Sequence, residues 1–175
     1  MTKRLFIAIP LTADVRSAVS AYAQKLNLNI VWTKPNNLHI TLVFLGDTDV
    51  EKIPAIRQAI DIISRNNRPF AISLSKAGYF RNSGALWVSI EKNRERLEQL
   101  ANSIREELVK NRINFDGQHS FVAHLTIARN KKGIPIPREL PDFPSIDLPI
   151  KKIILFESQL TKPQVTYTQL HIGQL

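Results

Sequence analysis

The sequence predicts an α+β fold built on largely antiparallel sheets. Strand-like and helix-like segments alternate along the 175 residues, and two of the strands flank a short turn, as in a hairpin. Hairpins argue against a doubly wound parallel sheet, in which helices connect the strands. No long linker divides the chain, so we expect residues 1–175 to form a single domain.

The first strand and the first helix are predicted at the start of the chain. Arg4–Ile9 is an apolar run with strand propensity, and Pro10 ends it. Either Thr12 or Asp14 is then the N-cap of a helix that extends to about Leu28, because apolar residues recur there near helical spacing.

The next predicted elements lead to a hairpin. Leu38–Leu45 is a strand that stops at Gly46, and Glu51–Arg65 is a helix with four isoleucines on one face. Phe70–Phe80 and Ala85–Ile90 are strands joined by a turn-rich tetrapeptide, so we expect them to pair with each other.

The remaining predicted elements are one helix and three strands. Asn93–Lys110 has the clearest helical pattern, with apolar residues on one face and opposite charges interleaved. Phe121–Ala128 is a strand, and a basic, proline-rich loop follows at 129–144. Ile150–Glu157 and Thr166–Ile172 are the last two strands.

Composition narrows the compartment and the class of substrate. The absence of cysteine excludes disulfides, thiolate nucleophiles and cysteine-ligated zinc. The apolar runs are far shorter than the roughly 20 residues that span a bilayer, and no signal-peptide pattern is seen. We therefore expect a cytoplasmic protein without membrane contact. A net charge of +9 favours a polyanionic or phosphorylated substrate, although an ordinary basic surface explains it equally well.

Two predicted strands carry the same pattern, His-x-Thr-x. The motifs are His39–Leu42 and His124–Ile127, 85 residues apart. Because side chains alternate across a strand, the imidazole and the hydroxyl of each motif share one face, roughly 6–7 Å apart. A single histidine of this kind is more often structural, but a matched pair in two strands favours a function.

A pair of histidines suits the cleavage of a phosphodiester. One ring has to accept a proton from the attacking water, the other has to donate one to the leaving oxygen, and histidine does either near neutral pH. We therefore predict that His39 and His124 are the acid–base pair and that no metal ion or cofactor takes part. Which ring is the acid stays open. Thr41 and Thr126 are predicted to donate hydrogen bonds to the phosphate oxygens.

Phe44 and Arg129 have the same offset in the two motifs, five residues after the histidine. Arg129 is predicted to bind the phosphate through its planar guanidinium. Strict alternation places it on the face opposite His124, so this role requires a frayed strand end or a bulge. Phe44 is the aromatic residue predicted to stack on the terminal base, with burial in the core as the alternative.

These residues resemble those of the two-histidine phosphoesterase superfamily, and within it the LigT-like RNA 2′,3′-cyclic phosphodiesterases, also called 2′-5′ RNA ligases. The resemblance covers nearly the whole chain, and besides both motifs it includes Arg4–Ile9, Leu86-Trp87 and Phe156–Ser158. The sequence departs from the family at Ala123, where proline is usual, and at Lys162-Pro163, which replaces a glycine-rich turn.

The resemblance implies a bilobal fold with pseudo-two-fold symmetry. Two antiparallel sheets face each other across a central cleft, helices pack outside, and each lobe supplies one motif. The implied reaction is hydrolysis of an RNA-terminal 2′,3′-cyclic phosphate to a 2′-phosphate, with reversible, ATP-independent 2′-5′ joining of RNA ends as a further activity. No cofactor or metal is implied. RNA ends, tRNA fragments among them, are the expected partners, and a monomer is expected.

Two other interpretations stay open. A non-catalytic RNA-binding module could share the fold, although binding alone does not require a matched acid–base pair. A sister enzyme could act on a small cyclic phosphate such as ADP-ribose 1″,2″-cyclic phosphate. An ATP-dependent ligase of the lysine-adenylating kind is excluded, because the sequence contains no K-x-D-G motif.

The other candidate residues have weaker patterns. His119 and His171 lack a threonine two residues later and are interpreted as surface or structural residues. Trp32 and Phe80 are interpreted as core residues, with stacking on the terminal base as the alternative for an aromatic residue near the cleft. The proline-rich loop carries three cations that are equally compatible with contacts to an RNA backbone and with simple solvation: Lys131, Lys132 and Arg138.

Overall fold

A computed structural model describes residues 1–117, 121–131, 133–161 and 164–175. The helices in these ranges are α1 (Ala13–Leu26), α2 (Ile53–Arg65) and α3 (Arg94–Lys110). The strands are β1 (Thr2–Pro10), β2 (Val31–Trp32), β3 (His39–Asp49), β4 (Phe70–Phe80), β5 (Ala85–Ile90), β6 (His124–Arg129), β7 (Ile146–Ile150), β8 (Lys152–Thr161) and β9 (Gln164–Gln174). Within the described ranges, no helix combines the length and the apolar character needed to cross a membrane.

The strands form two antiparallel sheets. The first sheet has the order β3-β1-β8-β9 and the second has the order β2-β6-β5-β4-β7. All strand pairs in both sheets are antiparallel, and β4 and β5 form the expected hairpin. The prediction of an α+β fold with two antiparallel sheets is therefore confirmed.

β1 lies inside the first sheet and is buried on both faces. Leu5, Ile7 and Ile9 belong to the main core, whereas Phe6 and Ala8 pack with Ile154 and Phe156 of β8 in a smaller cluster on the other face. The main core also draws on all three helices and on the second sheet through residues such as Val15, Ile60, Leu97 and Leu125. One continuous apolar core therefore connects both sheets.

Two observed strands had no predicted counterpart, and both lie at edges of the second sheet. β2 has only two residues, too few for an alternating pattern. β7 contains Pro149, which lacks a backbone N–H and is tolerated because the strand is at an edge. Ile150 therefore ends β7 instead of beginning the next strand. The strand predicted from Phe121 begins only at His124.

The first helix is defined by polar caps at both ends. Of the two candidate N-caps, Thr12 is the one observed, and its Oγ1 accepts a hydrogen bond from the Val15 N–H at 3.4 Å. Asn27 has a φ of 45° and donates its N–H to the Ala23 carbonyl. This left-handed cap ends the helix at Leu26, slightly before the predicted end.

Candidate active site

A cavity of about 240 Å³ lies between the two sheets and is lined by both His-x-Thr motifs. His39 and Thr41 come from β3 in the first sheet, and His124 and Thr126 come from β6 in the second. The strands β3 and β6 contact each other, so residues that are distant in the sequence meet here. The structure thus brings all four motif residues to one place.

The two histidines have the same ring orientation. Nδ1 of His39 lies 2.7 Å from the carbonyl oxygen of Asn37, and Nδ1 of His124 lies 2.6 Å from that of Val122. A carbonyl only accepts, so each Nδ1 carries the hydrogen and donates it. In each ring Nε2 is therefore the nitrogen left to exchange a proton with a ligand.

His39 is surrounded by aromatic rings of the first sheet. Its ring centroid lies 4.8 Å from that of Phe6 and 5.2 Å from that of Tyr167, which meets it nearly edge-on at 86°. Burial lowers the pKa of His39 below its ordinary value of 6.5, and the hydrogen bond to the Asn37 carbonyl acts in the opposite direction. The net effect favours the neutral ring.

His124 lies against the second sheet in a more open position. Its ring meets the Phe80 ring edge-on at 85°, with 5.6 Å between centroids. The hydrogen bond from its Nδ1 is exposed to solvent, whereas the equivalent bond of His39 is partly buried. The two rings therefore share an orientation but not an environment.

A β-bulge follows the motif in β6 and reverses the alternation of side chains. Thr126 and Ala128 pair with consecutive residues of β5, so Ile127 between them has no partner. Ile127 and Ala128 are both buried. Arg129 consequently returns to the face of the motif and lines the cavity.

The motif in β3 is followed by an equivalent bulge. Thr41 and Val43 pair with consecutive residues of β1, and Leu42 between them is the extra residue. Leu42 and Val43 are both buried, and Phe44 lines the cavity. The same local irregularity therefore directs the fifth residue after each histidine into the cavity, a ring from one sheet and a cation from the other.

The charge of Arg129 acts across the cavity. Burial raises the pKa of the Tyr167 hydroxyl, and the positive charge of Arg129 lowers it. Tyr167 belongs to β9 in the first sheet and Arg129 to β6 in the second. A bound anion between the sheets would thus lie within the field of this guanidinium.

Phe44 contacts a second cation on the first sheet. The guanidinium carbon of Arg4 lies 4.8 Å from the centroid of the Phe44 ring. Arg4 also forms an ion pair with Asp47, with 3.7 Å between Nη1 and Oδ1. The Phe44 ring is half-buried: it packs against the smaller apolar cluster of the first sheet and also lines the cavity.

The cavity wall also includes residues that the sequence patterns did not indicate as site residues, among them Asn37 and Tyr167. Asn37 accepts the His39 hydrogen bond through its carbonyl, and its Nδ2 donates to the Val165 carbonyl at 2.9 Å. Tyr167 pairs with Ser158 in the register of β8 and β9, and both line the cavity. The Phe156–Ser158 stretch was a signal for this wall, but only the register shows which residue of β9 lies beside it.

The weaker candidates have mixed outcomes. Nε2 of His171 lies 2.7 Å from Asp61 Oδ1 and joins β9 to α2, a structural role as predicted. Trp32 packs against the main core. The core interpretation of Phe80 is wrong, because its side chain is 36% exposed beside His124. Four residues lie outside the described ranges: His119, Lys132, Lys162 and Pro163.

Metal-ligating side chains do not cluster in the described part of the chain. Among these residues no group of three or more histidines, cysteines or carboxylates is arranged to hold a metal ion. The two histidines of the cavity instead have several hydroxyls, a phenol and a guanidinium as polar neighbours on its wall. This set of donors suits a phosphate anion.

Comparison with known proteins gives consistent matches. The family model described as the 2′-5′ RNA ligase superfamily matches residues 15–162. An RNA 2′,3′-cyclic phosphodiesterase from Archaeoglobus fulgidus is 31% identical to this chain. The alignment covers 97% of this chain and 98% of that protein. The crystal structure of TT0787 from Thermus thermophilus is similar with a TM-score of 0.85 and 28% identity, over 98% of this chain and 97% of that one. The structure of Escherichia coli LigT complexed with 3′-AMP has a TM-score of 0.78 and 27% identity, over 99% and 98% of the two chains.

Proposed function

Because this chain belongs to the 2′-5′ RNA ligase superfamily, we propose that it hydrolyses the 2′,3′-cyclic phosphate at an RNA end to a 2′-phosphate. His39 and His124 are the acid–base pair of this reaction. The observation that carries the proposal is that both rings line one cavity from opposite sheets, each with Nδ1 bound to the backbone and Nε2 left for the substrate. The similarity to an RNA 2′,3′-cyclic phosphodiesterase over nearly the full chain supports it.

Each histidine moves one proton in the proposed reaction. Water attacks phosphorus, and one ring accepts the water proton at Nε2 as the new phosphorus–oxygen bond forms. The other ring donates its Nε2 proton to the 3′-oxygen as the bond from that oxygen to phosphorus breaks. The phosphate stays on the 2′-oxygen, and exchange with solvent restores both rings. Two rings suffice for both proton transfers, so the mechanism uses no metal ion or cofactor.

The remaining cavity residues bind the substrate. Thr41 and Thr126 share the faces of the histidines and donate hydrogen bonds to the non-bridging phosphate oxygens. Arg129 supplies a positive charge for the cyclic phosphate, which is already an anion before it reacts. Phe44 stacks on the terminal base, a contact that tolerates any base because each has a π-face.

The same groups support the joining of two RNA ends. If the 5′-hydroxyl of a second RNA replaces water, its oxygen bonds to phosphorus, its proton goes to the base, and the protonated 3′-oxygen leaves. The product is a 2′-5′ linkage, and the cyclic phosphate itself drives its formation without ATP.

The substrates in this proposal are RNA ends, including those of tRNA fragments. The chain acts as a monomer in the cytoplasm, with residues 1–175 as one two-lobed domain; the shared core supports that last point.

One incubation tests the reaction. The protein is mixed with an oligoribonucleotide ending in a 2′,3′-cyclic phosphate in excess EDTA, and the product is compared chromatographically with 2′-phosphate and 3′-phosphate standards. We expect the 2′-phosphate. A requirement for a divalent ion, or a 3′-phosphate product, contradicts the mechanism. A parallel incubation with ADP-ribose 1″,2″-cyclic phosphate separates the small-substrate alternative, and binding without any product would indicate the non-catalytic alternative.

A further inference from the structure

The cavity wall beside His124 continues into a surface formed by Phe80 and Trp87, which we call the aromatic shelf. The two ring centroids lie 5.1 Å apart with an angle of 31° between the planes. Phe80 reaches the His124 ring and is 36% exposed, whereas most large apolar side chains of this fold are buried. Exposed aromatic rings next to a ligand cavity are a common feature of sites that bind bases.

The position of Trp87 depends on the absence of a side chain at residue 78. Gly78 and Trp87 are partners in the register of β4 and β5. A Cβ atom at Gly78 would lie only 2.2 Å from Cζ2 and 2.6 Å from Cε2 of the indole. The ring therefore lies over the backbone of β4, where it contacts Phe80 and has little freedom to move. With their centroids only 5.1 Å apart, the two rings overlap and do not lie side by side, so the exposed Phe80 ring is held by the indole and can bind a planar ligand at a low cost in entropy.

The shelf and Phe44 lie on different sheets, with the two histidines between them. Trp87 pairs with Thr126 in the second sheet, whereas Phe44 belongs to β3 in the first. A base stacked on Phe44 therefore leaves the shelf free for another group. The shelf is next to His124, so that group belongs to the same substrate molecule or to its immediate partner.

A second cavity lies near the turn of the hairpin, where Ala77 and Tyr79 of β4 pack against the main core, and neither ring of the shelf lines it. This cavity has a volume of about 350 Å³, and its lining includes Gly78, Arg81 and Arg138. Arg81 directly follows Phe80 at the turn of the hairpin, and both arginines are exposed. Arg81 and Arg138 therefore lie outside the cavity of the histidines, and Phe80 and Trp87 are the groups beside His124 that can bind a second base.

We propose that the aromatic shelf binds the base of the penultimate nucleotide, the one before the nucleotide that carries the cyclic phosphate. This inference rests on the proposed function and adds a substrate class to it, RNA of at least two nucleotides in preference to a cyclic mononucleotide. Loss of a base–aromatic stack weakens binding by roughly 5- to 100-fold.

The first test compares two substrates of different length. The ratio of kcat/KM for a dinucleotide ending in a 2′,3′-cyclic phosphate to kcat/KM for the cyclic mononucleotide should fall about tenfold in Phe80→Ala. Phe80→Tyr keeps a ring and should restore the ratio. Val109→Ala removes another exposed apolar side chain, on α3 and 62% exposed, and should leave the ratio unchanged. An unchanged ratio in Phe80→Ala, or an equal loss on both substrates, overturns the proposal, because the ring would then only support His124.

The second test does not depend on turnover. The chain has two tryptophans, so Trp32→Phe leaves Trp87 as the sole indole reporter. A dinucleotide ending in a 2′-phosphate should quench its fluorescence, and the mononucleotide 2′-phosphate should do so far less. Equal quenching by the two, or none, contradicts the shelf. If no cyclic phosphate is hydrolysed at all, the proposed function fails, and this titration still decides whether the shelf binds RNA.

Discussion

Arg129 lies on the same side of β6 as His124, although residues that are five positions apart lie on opposite faces of a regular strand. The extra residue Ile127 makes the difference, because it shifts the alternation by one before Arg129 is reached. The guanidinium thereby joins the cavity and acts on Tyr167 from the opposite sheet.

Replacement of Arg129 tests its role as the phosphate anchor. Arg129→Ala should lower kcat/KM for a cyclic-phosphate RNA by roughly 10- to 100-fold, the usual loss for a hydrogen bond to a charged group. We expect the change mainly in KM, since the cyclic phosphate carries its charge before it reacts. Lys131→Ala is the matched control, an exposed cation two residues later. Normal kinetics in Arg129→Ala together with a lower kcat/KM in Lys131→Ala would indicate that Lys131 in the loop binds the phosphate.

Removal of either cavity histidine should abolish most of the activity. His39→Ala and His124→Ala are each expected to lower kcat by about 100-fold or more, because each ring moves one proton in the same turnover. His171→Ala is the control, since this histidine pairs with Asp61 away from the cavity. Circular dichroism checks that all three variants fold. Turnover close to wild type in either cavity variant would refute the acid–base pair.

The threonine hydroxyls can be removed without a change in shape. Thr41→Val and Thr126→Val should each lower kcat/KM by roughly 10- to 1000-fold, the range for loss of one donor to the developing charge. Thr168→Val, at an exposed position of β9 outside the cavity, serves as the comparison. Equal kinetics in all three variants would mean that the hydroxyls do not reach the phosphate.

The dependence of the rate on pH should be bell-shaped and sensitive to the rings around His39. Burial lowers the pKa of His39, so the acidic limb should lie below pH 6.5. Tyr167→Ala opens the edge of the ring to water and should move this limb upwards, towards the ordinary pKa of histidine. Proton NMR titration of His39 measures the same change directly. An unmoved resonance and limb would show that Tyr167 does not contribute to the burial.

The same shift links pH to stability. The unfolded chain binds a proton at His39 near pH 6.5, whereas the folded chain resists it until a lower pH. The free energy of unfolding should therefore be fully retained above about pH 6.5. It should decrease as the pH falls from there towards the lower pKa that His39 has in the folded chain. His39→Gln should remove this part of the pH dependence in urea titrations, and an unchanged dependence would exclude His39 as its source.

The contact between Gly78 and Trp87 predicts a local effect on stability. Gly78→Ala places a methyl group against the indole and should lower the free energy of unfolding by roughly 1–3 kcal/mol, as expected for overpacking. Gly117→Ala is the matched control, because its Cβ would lie 3.5 Å from the nearest atom, an ordinary contact. Urea denaturation measures both. Equal stability of the two variants would mean that Trp87 moves aside without cost.

Local patterns predicted the positions of His39 and His124 well because alternation holds over the short distance to each threonine. Local patterns could not predict on which face of β6 Arg129 lies, because a bulge is defined by the pairing with the neighbouring strand and not by the residues that form it. The edge strand with Pro149 was missed because proline argues against a strand wherever the edge cannot be seen. Phe80 was misassigned to the core because an apolar residue at a strand end has the same pattern whether or not another layer covers it.

The two bulges also make the cavity asymmetric, and this asymmetry affects how a cyclic phosphate can bind. Up to each threonine the two strands present identical groups, and a fully symmetric cavity would accept a cyclic phosphate in two opposite orientations. In one of them the 3′-oxygen faces the proton donor, and in the other the 2′-oxygen does. Phe44 lines the cavity from one sheet and Arg129 from the other. With the base stacked on Phe44 and the phosphate bound by Arg129, as proposed, the two orientations would differ in energy. In the proposed reaction, the fifth residue after each histidine would therefore decide which oxygen leaves, although it takes no part in the proton transfer.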